Sequence, residues 1–159
     1  MVAGFSSYNV DNDKRFRKAL DGAIKEVGNL RFAMGEISRD IYKNTRKNFI
    51  LKSSGKYPPL SPKYAAYKKK KKPGAPILVY SGRLRDSVLG PDTPDSILSI
   101  GETSLVQGTK VPYARYVQEG TSKMPVRKYL FIDDAQAGRI ERIIMDYVIS
   151  RLEVLDNGG

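Results

Sequence analysis

The chain has 159 residues, the length of a single domain with one core, and an apolar content of 40% makes that core a thin one. Twenty-eight Lys and Arg against 17 Asp and Glu leave a net charge of +11 and a pI near 9.8, an excess that calls for a polyanionic partner: nucleic acid, an anionic membrane or an acidic protein face. With no cysteine and no histidine, disulfides, thiolate nucleophiles, imidazole metal sites and the commonest general base are all excluded.

The N-terminal stretch MVAGFSSYNVDND lacks a basic segment followed by an apolar one, and no run approaches about 18 uncharged apolar residues, so the expectation is a soluble, unexported protein. After the N-cap candidates Asp11, Asn12 and Asp13, apolar positions recur at steps of three and four: Phe16, Leu20, Ile24, Val27, Leu30, Met34, Ile37, Ile41, Thr45 and Phe49. This helical stripe covers residues 13–51. Unbroken, it would run to roughly 55 Å at 1.5 Å per residue, longer than the about 40 Å of a compact globule of this size. Either Gly28-Asn29 or Gly35 must therefore break it, or the helix projects onto a neighbour; the break is placed near Gly28.

Residues 52–76, KSSGKYPPLSPKYAAYKKKKKPGAP, hold five of the nine prolines and no apolar periodicity, which predicts a long exposed loop. From 77 to 132 the pattern changes to short runs of β-formers punctuated by glycine: Ile77–Tyr80, Asp86–Leu89, Ser96–Ile100 and Tyr113–Val117. These predict three to five antiparallel strands, the 113–118 stretch being open to a short helix instead. Asp133-Asp134 then supplies an acidic first turn to a C-terminal helix over 133–156, with Ile140, Ile143, Ile144, Tyr147, Val148, Leu152 and Leu155 on its apolar face. Helices, then sheet, then helix give an α+β class.

Little in the sequence carries chemistry. Ser53-Ser54-Gly55-Lys56 satisfies a Ser-x-x-Lys pattern but lacks the companion motifs that give it meaning, and Gly108-Thr109-Lys110 lacks the second glycine of a phosphate loop. Asp133-Asp134 and the pair Asp92 and Asp95 read as a helix start and a turn in preference to a metal site. No enzyme, metal or cofactor is expected. The basic residues Lys68, Lys69, Lys70, Lys71 and Lys72, with Arg83, Arg85 and Arg115, are the candidates for contact with DNA phosphate or an acidic partner; for the lysine run a merely solvated loop is the competing reading. A flexible lysine loop offers point charges without bidentate geometry, so any nucleic-acid contact would be to the backbone alone.

The order of motifs adds a further expectation. Pro59-Leu60-Ser61-Pro62 with the lysines, Leu78 to Ser87 around Ser81-Gly82-Arg83-Leu84, Tyr113-Ala114 through Gly120, and Pro125-Val126-Arg127 with Tyr129-Leu130 follow one another over about residues 57–150. This succession resembles the virion morphogenesis family of tailed phages, the Mu-type tail-completion or neck proteins, and Tyr113 to Met124 is similar to the corresponding segment of siphophage neck proteins. Where family members carry a tryptophan before the PLSP segment, this chain has Tyr57. The resemblance implies a structural α+β subunit of the virion neck or tail, assembled in the host cytoplasm into a homo-oligomeric, sixfold ring that joins the tail to the DNA-filled capsid. Neighbouring neck, connector and tail proteins and the DNA in the channel would be its partners, with no membrane. Tyr113, Tyr116, Gly120, Met124, Pro125, Arg127 and Tyr129 are the expected subunit interface, because tyrosine and arginine carry interface energy. A free-standing, non-specific nucleic-acid-binding protein is the rival reading.

Overall fold

The computed structural model describes residues 21, 22, 25, 27–53 and 57–156. The helix start predicted at Asp11–Asp13, most of the Ser-x-x-Lys pattern and the chain end at 157–159 lie outside those residues. Asp21, Gly22, Lys25 and Val27 are helical, and the helix stops at Gly28, whose φ of +71° is the left-handed value that only glycine adopts freely. Asn29 then accepts from the Arg31 amide at 2.9 Å and opens helix α1, Arg31–Ser53. The predicted break is thus where the sequence places it.

The described residues divide into two units. One takes in 42–53, 57–97 and 108–131; the other takes in those before 42 together with 98–107 and 132–156. Helix α1 belongs to the second unit up to Ile41 and to the first from Tyr42 onward. In the second unit Leu30, Ala33, Met34 and Ile37 meet Ile140, Ile144 and Val148 of the C-terminal helix, with Ile100 and Leu105 packed against them. That helix, Asp134–Asp156, is capped by Asp133, which accepts from the Gln136 amide at 2.8 Å. The acidic pair therefore starts a helix, as predicted. Buried Gln136 and half-exposed Arg139 both donate to Asp40 of α1, at 3.2 and 3.0 Å.

In the first unit Phe49 of α1 packs with Leu84, Val88, Val111, Ala114, Val117 and Tyr129. The α+β class holds, with a sheet of only two antiparallel strands, β1 Ser96–Ile100 and β2 Leu105–Thr109. Three segments depart from expectation and one open choice is decided. Ile77–Tyr80 forms a turn and bend in place of a strand, with Leu78 at φ +68°. Residues 62–71 of the predicted loop form helix α2, Pro62–Lys71. Asp86–Leu89 is not a strand but the end of helix α3, Arg83–Leu89, which buries Leu84, Ser87 and Val88 on one face. Tyr113–Val117 takes the helical option as α4, Ala114–Glu119, leaving Asp134–Asp156 as α5.

Candidate functional site

The lysine run lies on helix α2. Ser61 at its N-cap accepts from the Tyr64 amide at 3.4 Å, and Pro62 occupies the first turn, where its missing N–H costs nothing. Lys68 to Lys71 form the last turn, where positive side chains meet the negative end of the helix dipole. The run is therefore not a loop, and Lys68 is not solvated. It is buried, and its Nζ donates to the Pro76 carbonyl at 2.5 Å; burial lowers its pKa. It is also the one buried residue of α2, so Lys69 to Lys72 and the two tyrosines of the helix face water. Tyr64, Tyr67 and Tyr80 stack in succession, with ring centroids 6.2 and 6.5 Å apart.

The three arginines are partly neutralised. Arg83 grips Asp95 with Nε and Nη2, holding that carboxyl below its usual range; Arg85 donates to Asp86 at 2.7 Å and Arg115 to Glu119 at 2.8 Å. What they offer a phosphate is far less than their formal charge. In place of a phosphate loop, Thr109 bonds the Ser87 hydroxyl at 2.7 Å and accepts from the Val111 amide at 3.1 Å.

The segment read as a subunit interface is in large part an internal clamp. Gln118 of α4 is buried, accepts from the Tyr129 and Leu130 amides at 3.1 and 3.2 Å, and donates from Nε2 to the Leu130 carbonyl. Arg127 is 4% exposed; its Nε and Nη2 donate to the Pro58 and Pro59 carbonyls at 3.0 and 2.8 Å, and its amide donates to the Val117 carbonyl at 2.9 Å. Burial lowers the Arg127 pKa. Tyr129, 3% exposed, donates to the Ala114 carbonyl at 3.2 Å, and Tyr57 donates to the Lys128 carbonyl at 3.3 Å. Gly120 ends α4 with φ +77°, and a Cβ there would lie 3.0 Å from both the Met124 carbonyl oxygen and the Val126 nitrogen. Arg127 and Tyr129 thus spend their side chains inside the first unit. Tyr113 and Tyr116 are exposed, 43% and 56%, as is Val126; Met124 is half-buried and Pro125 exposed.

Charge is unevenly shared. Among the described residues the first unit has 17 Lys and Arg against four Asp and Glu, net +13, while the second has six against ten, net −4. Among the described residues the basic excess resides in one unit, a separation visible only once the units are known. The second unit carries a groove of about 310 Å³ lined by Phe32, Ala33, Glu36, Ile143, Asp146, Tyr147 and Ser150, in which the Phe32 and Tyr147 rings stack with centroids 5.8 Å apart. Neither this groove nor the Tyr64–Tyr67–Tyr80 stack was singled out from the sequence. The spacing of Tyr64 and Tyr67, three apart after a Ser-Pro cap, was the available signal for the stack; Phe32 and Tyr147 are 115 positions apart and offered none. Among the described residues no group of three or more acidic side chains is placed to hold a metal ion, and no helix is long and apolar enough to cross a membrane.

Compared with known proteins, residues 11–149 match the model of the phage virion morphogenesis family. Neither a curated protein nor a solved structure gives a significant match.

Proposed function

We propose, from the premise that this chain belongs to the phage virion morphogenesis family, that it is a tail-completion or neck subunit, forming a ring that joins the tail to the DNA-filled capsid. Membership supports the coarser part, a structural role in virion assembly. The observation that carries the finer part is the concentration of net charge, +13 among the described residues of one unit against −4 in the other. A ring sums that charge around a channel, where it attracts passing DNA through phosphates, with no base reading. The opposite signs also bear on how copies meet. Two basic faces repel, whereas a basic face of one copy and an acidic face of the next attract, and such heterologous contacts form a ring when the rotation between neighbours closes.

The test is mass under native conditions, by sedimentation or native mass spectrometry. A closed oligomer of fixed size, six copies on this reading, is the expected result; a chain that stays monomeric at every concentration overturns the ring. A free-standing DNA-binding protein, the reading that positive charge alone favours, would be such a monomer and would bind DNA without assembling.

A further inference from the structure

Helix α2 is unusual in its isolation. It has ten residues, its single buried side chain is Lys68, and an isolated helix of that length is marginal in water. What holds it within the first unit is the Ser61 cap, the Lys68 bond to the Pro76 carbonyl and the contact of Tyr67 with Tyr80. Tyr64, Tyr67 and Lys71 stand three and four positions apart, on one face of the helix, and Tyr80 widens that face. The rings are 43%, 50% and 40% exposed, although tyrosines stacked at the surface bury their apolar bodies best against a partner.

The second unit offers a complementary surface. On α5, Met145, Ile149 and Leu152 recur at helical spacing and are 46%, 48% and 38% exposed, on the flank about a quarter-turn or more round the helix from the core residues Ile144 and Val148. This stripe spans two turns, about 10 Å, which matches the length of the tyrosine face on α2. Asp146, one position after Met145 and three before Ile149, edges this stripe, and on its other side it lines the groove with Phe32, Glu36 and Tyr147. Glu36 is paired with Arg39, and Asp146 is exposed with no ion pair among the described residues. An unpaired carboxylate at the edge of an apolar stripe suits a lysine, whose stem lies along the apolar side chains while its ammonium meets the acid.

We propose that α2 of one copy seats on α5 of the next, its tyrosine face against Met145, Ile149 and Leu152 and the ammonium groups of Lys70 or Lys71 at Asp146. The inference rests on the ring reading and specifies its contact. Charge selects the occupant: α2 is the most densely basic element of the first unit, and the seat belongs to the unit of opposite sign. A phosphate backbone on the lysines of α2 would leave the tyrosine face and the apolar stripe of α5 uncovered. A second copy satisfies all of these groups. Because plug and seat are different surfaces of one chain, each copy gives one and receives one.

Charge reversal on the full chain tests the contact. Lys70→Glu with Lys71→Glu, and separately Asp146→Lys, should each weaken self-association at least tenfold, and all three changes together should bring it back to within about threefold of wild type. Single reversals that leave the oligomer intact, or a combined variant weaker than either, would overturn the contact while leaving the ring standing. A wild-type chain that never associates would overturn both. Since acidic residues at the end of α2 loosen the helix itself, a second measurement uses the absence of native cysteine. Tyr67→Cys and Ile149→Cys variants, mixed under mild oxidation, should give a covalent dimer that neither gives alone. No dimer in the mixture, or an equal yield from either variant alone, would refute the pairing. Loss of DNA binding on reversing the lysines, with association unchanged, would mean that the run meets phosphate and would likewise refute it.

Discussion

The side-chain amide of Gln118 does for residues 129 and 130 what a neighbouring strand does in a sheet: it accepts from two amides and donates to one carbonyl. Gln118→Ala leaves those backbone groups buried without partners, and the expected loss is about 2–4 kcal/mol of unfolding free energy, read by urea titration. Arg127→Lys should cost nearly as much as Arg127→Ala, because one ammonium cannot span the Pro58 and Pro59 carbonyls as the guanidinium does. If the lysine variant matches wild type, the two-pronged grip is not what stabilises the segment. Burial pushes the Tyr57 hydroxyl up to about 12 from 10.0, so its contribution is intact below pH 10 and is lost as pH rises toward 12. Tyr57 should contribute up to about 2.7 kcal/mol of the fall across that window, about 1.36 kcal/mol for each pH unit crossed; buried Tyr129, pushed up for the same reason, adds its own share, so Tyr57→Phe should make the fall shallower without removing it. The sequence displayed Arg127 and Tyr129 as residues rich in interface energy. It could not show on which side of the surface they spend it, since the chemistry that binds a partner also binds a carbonyl of the same chain.

Among the elements, Gly120 is the least replaceable turn. Gly120→Ala combines a left-handed backbone with a Cβ against backbone atoms at 3.0 Å, and a loss of about 2–4 kcal/mol is expected, with α4 and residues 124–127 moved apart in amide exchange. A near-neutral result would mean the turn relaxes freely. Ser61→Ala should do something different: amides of α2 should exchange faster while the midpoint of global unfolding hardly moves, because α2 buries little besides Lys68. Helices α1 and α5 were legible because each carries its apolar stripe over 23 residues, enough to separate a period of 3.6 from one of 2. Helix α3 was not, since Leu84 and Val88 give a single step of four and the remaining residues read equally well as a strand. Helix α2 was missed for another reason. It has no apolar core face, so periodicity had nothing to report, and its start lay in Ser61-Pro62, which looked like loop composition.

At the scale of the whole chain, the buried apolar side chains of the described residues gather into two clusters, and each should answer to its own substitutions. Ile144→Ala, at a side chain 1% exposed, should cost about 2–5 kcal/mol and speed exchange in α5 ahead of residues 113–130. The charge division makes a matching prediction for DNA. Replacing exposed Lys43, Lys47, Lys110 and Lys123 of the basic unit with serine should make the slope of log affinity against log salt shallower by about 0.9 per phosphate contact removed, whereas Arg142→Ser with Arg151→Ser in the other unit should leave it unchanged. Equal effects from both sets would mean that DNA does not distinguish the units. Net charge was readable from composition, but its division was not, because the acidic unit is assembled from three separated stretches of the chain.

That discontinuity sets an order of events during synthesis. The ribosome releases residues 42–131 before any of α5 has emerged, so the first unit has its own core residues, from Phe49 to Tyr129, in hand while Leu30, Met34 and Ile37 still await Ile140 and Ile144. Phe32 likewise waits for Tyr147, its partner in the groove. On the proposed contact, a chain still being translated carries the plug but not the seat, and translation of α5, Asp134–Asp156, is the step that would license it to assemble.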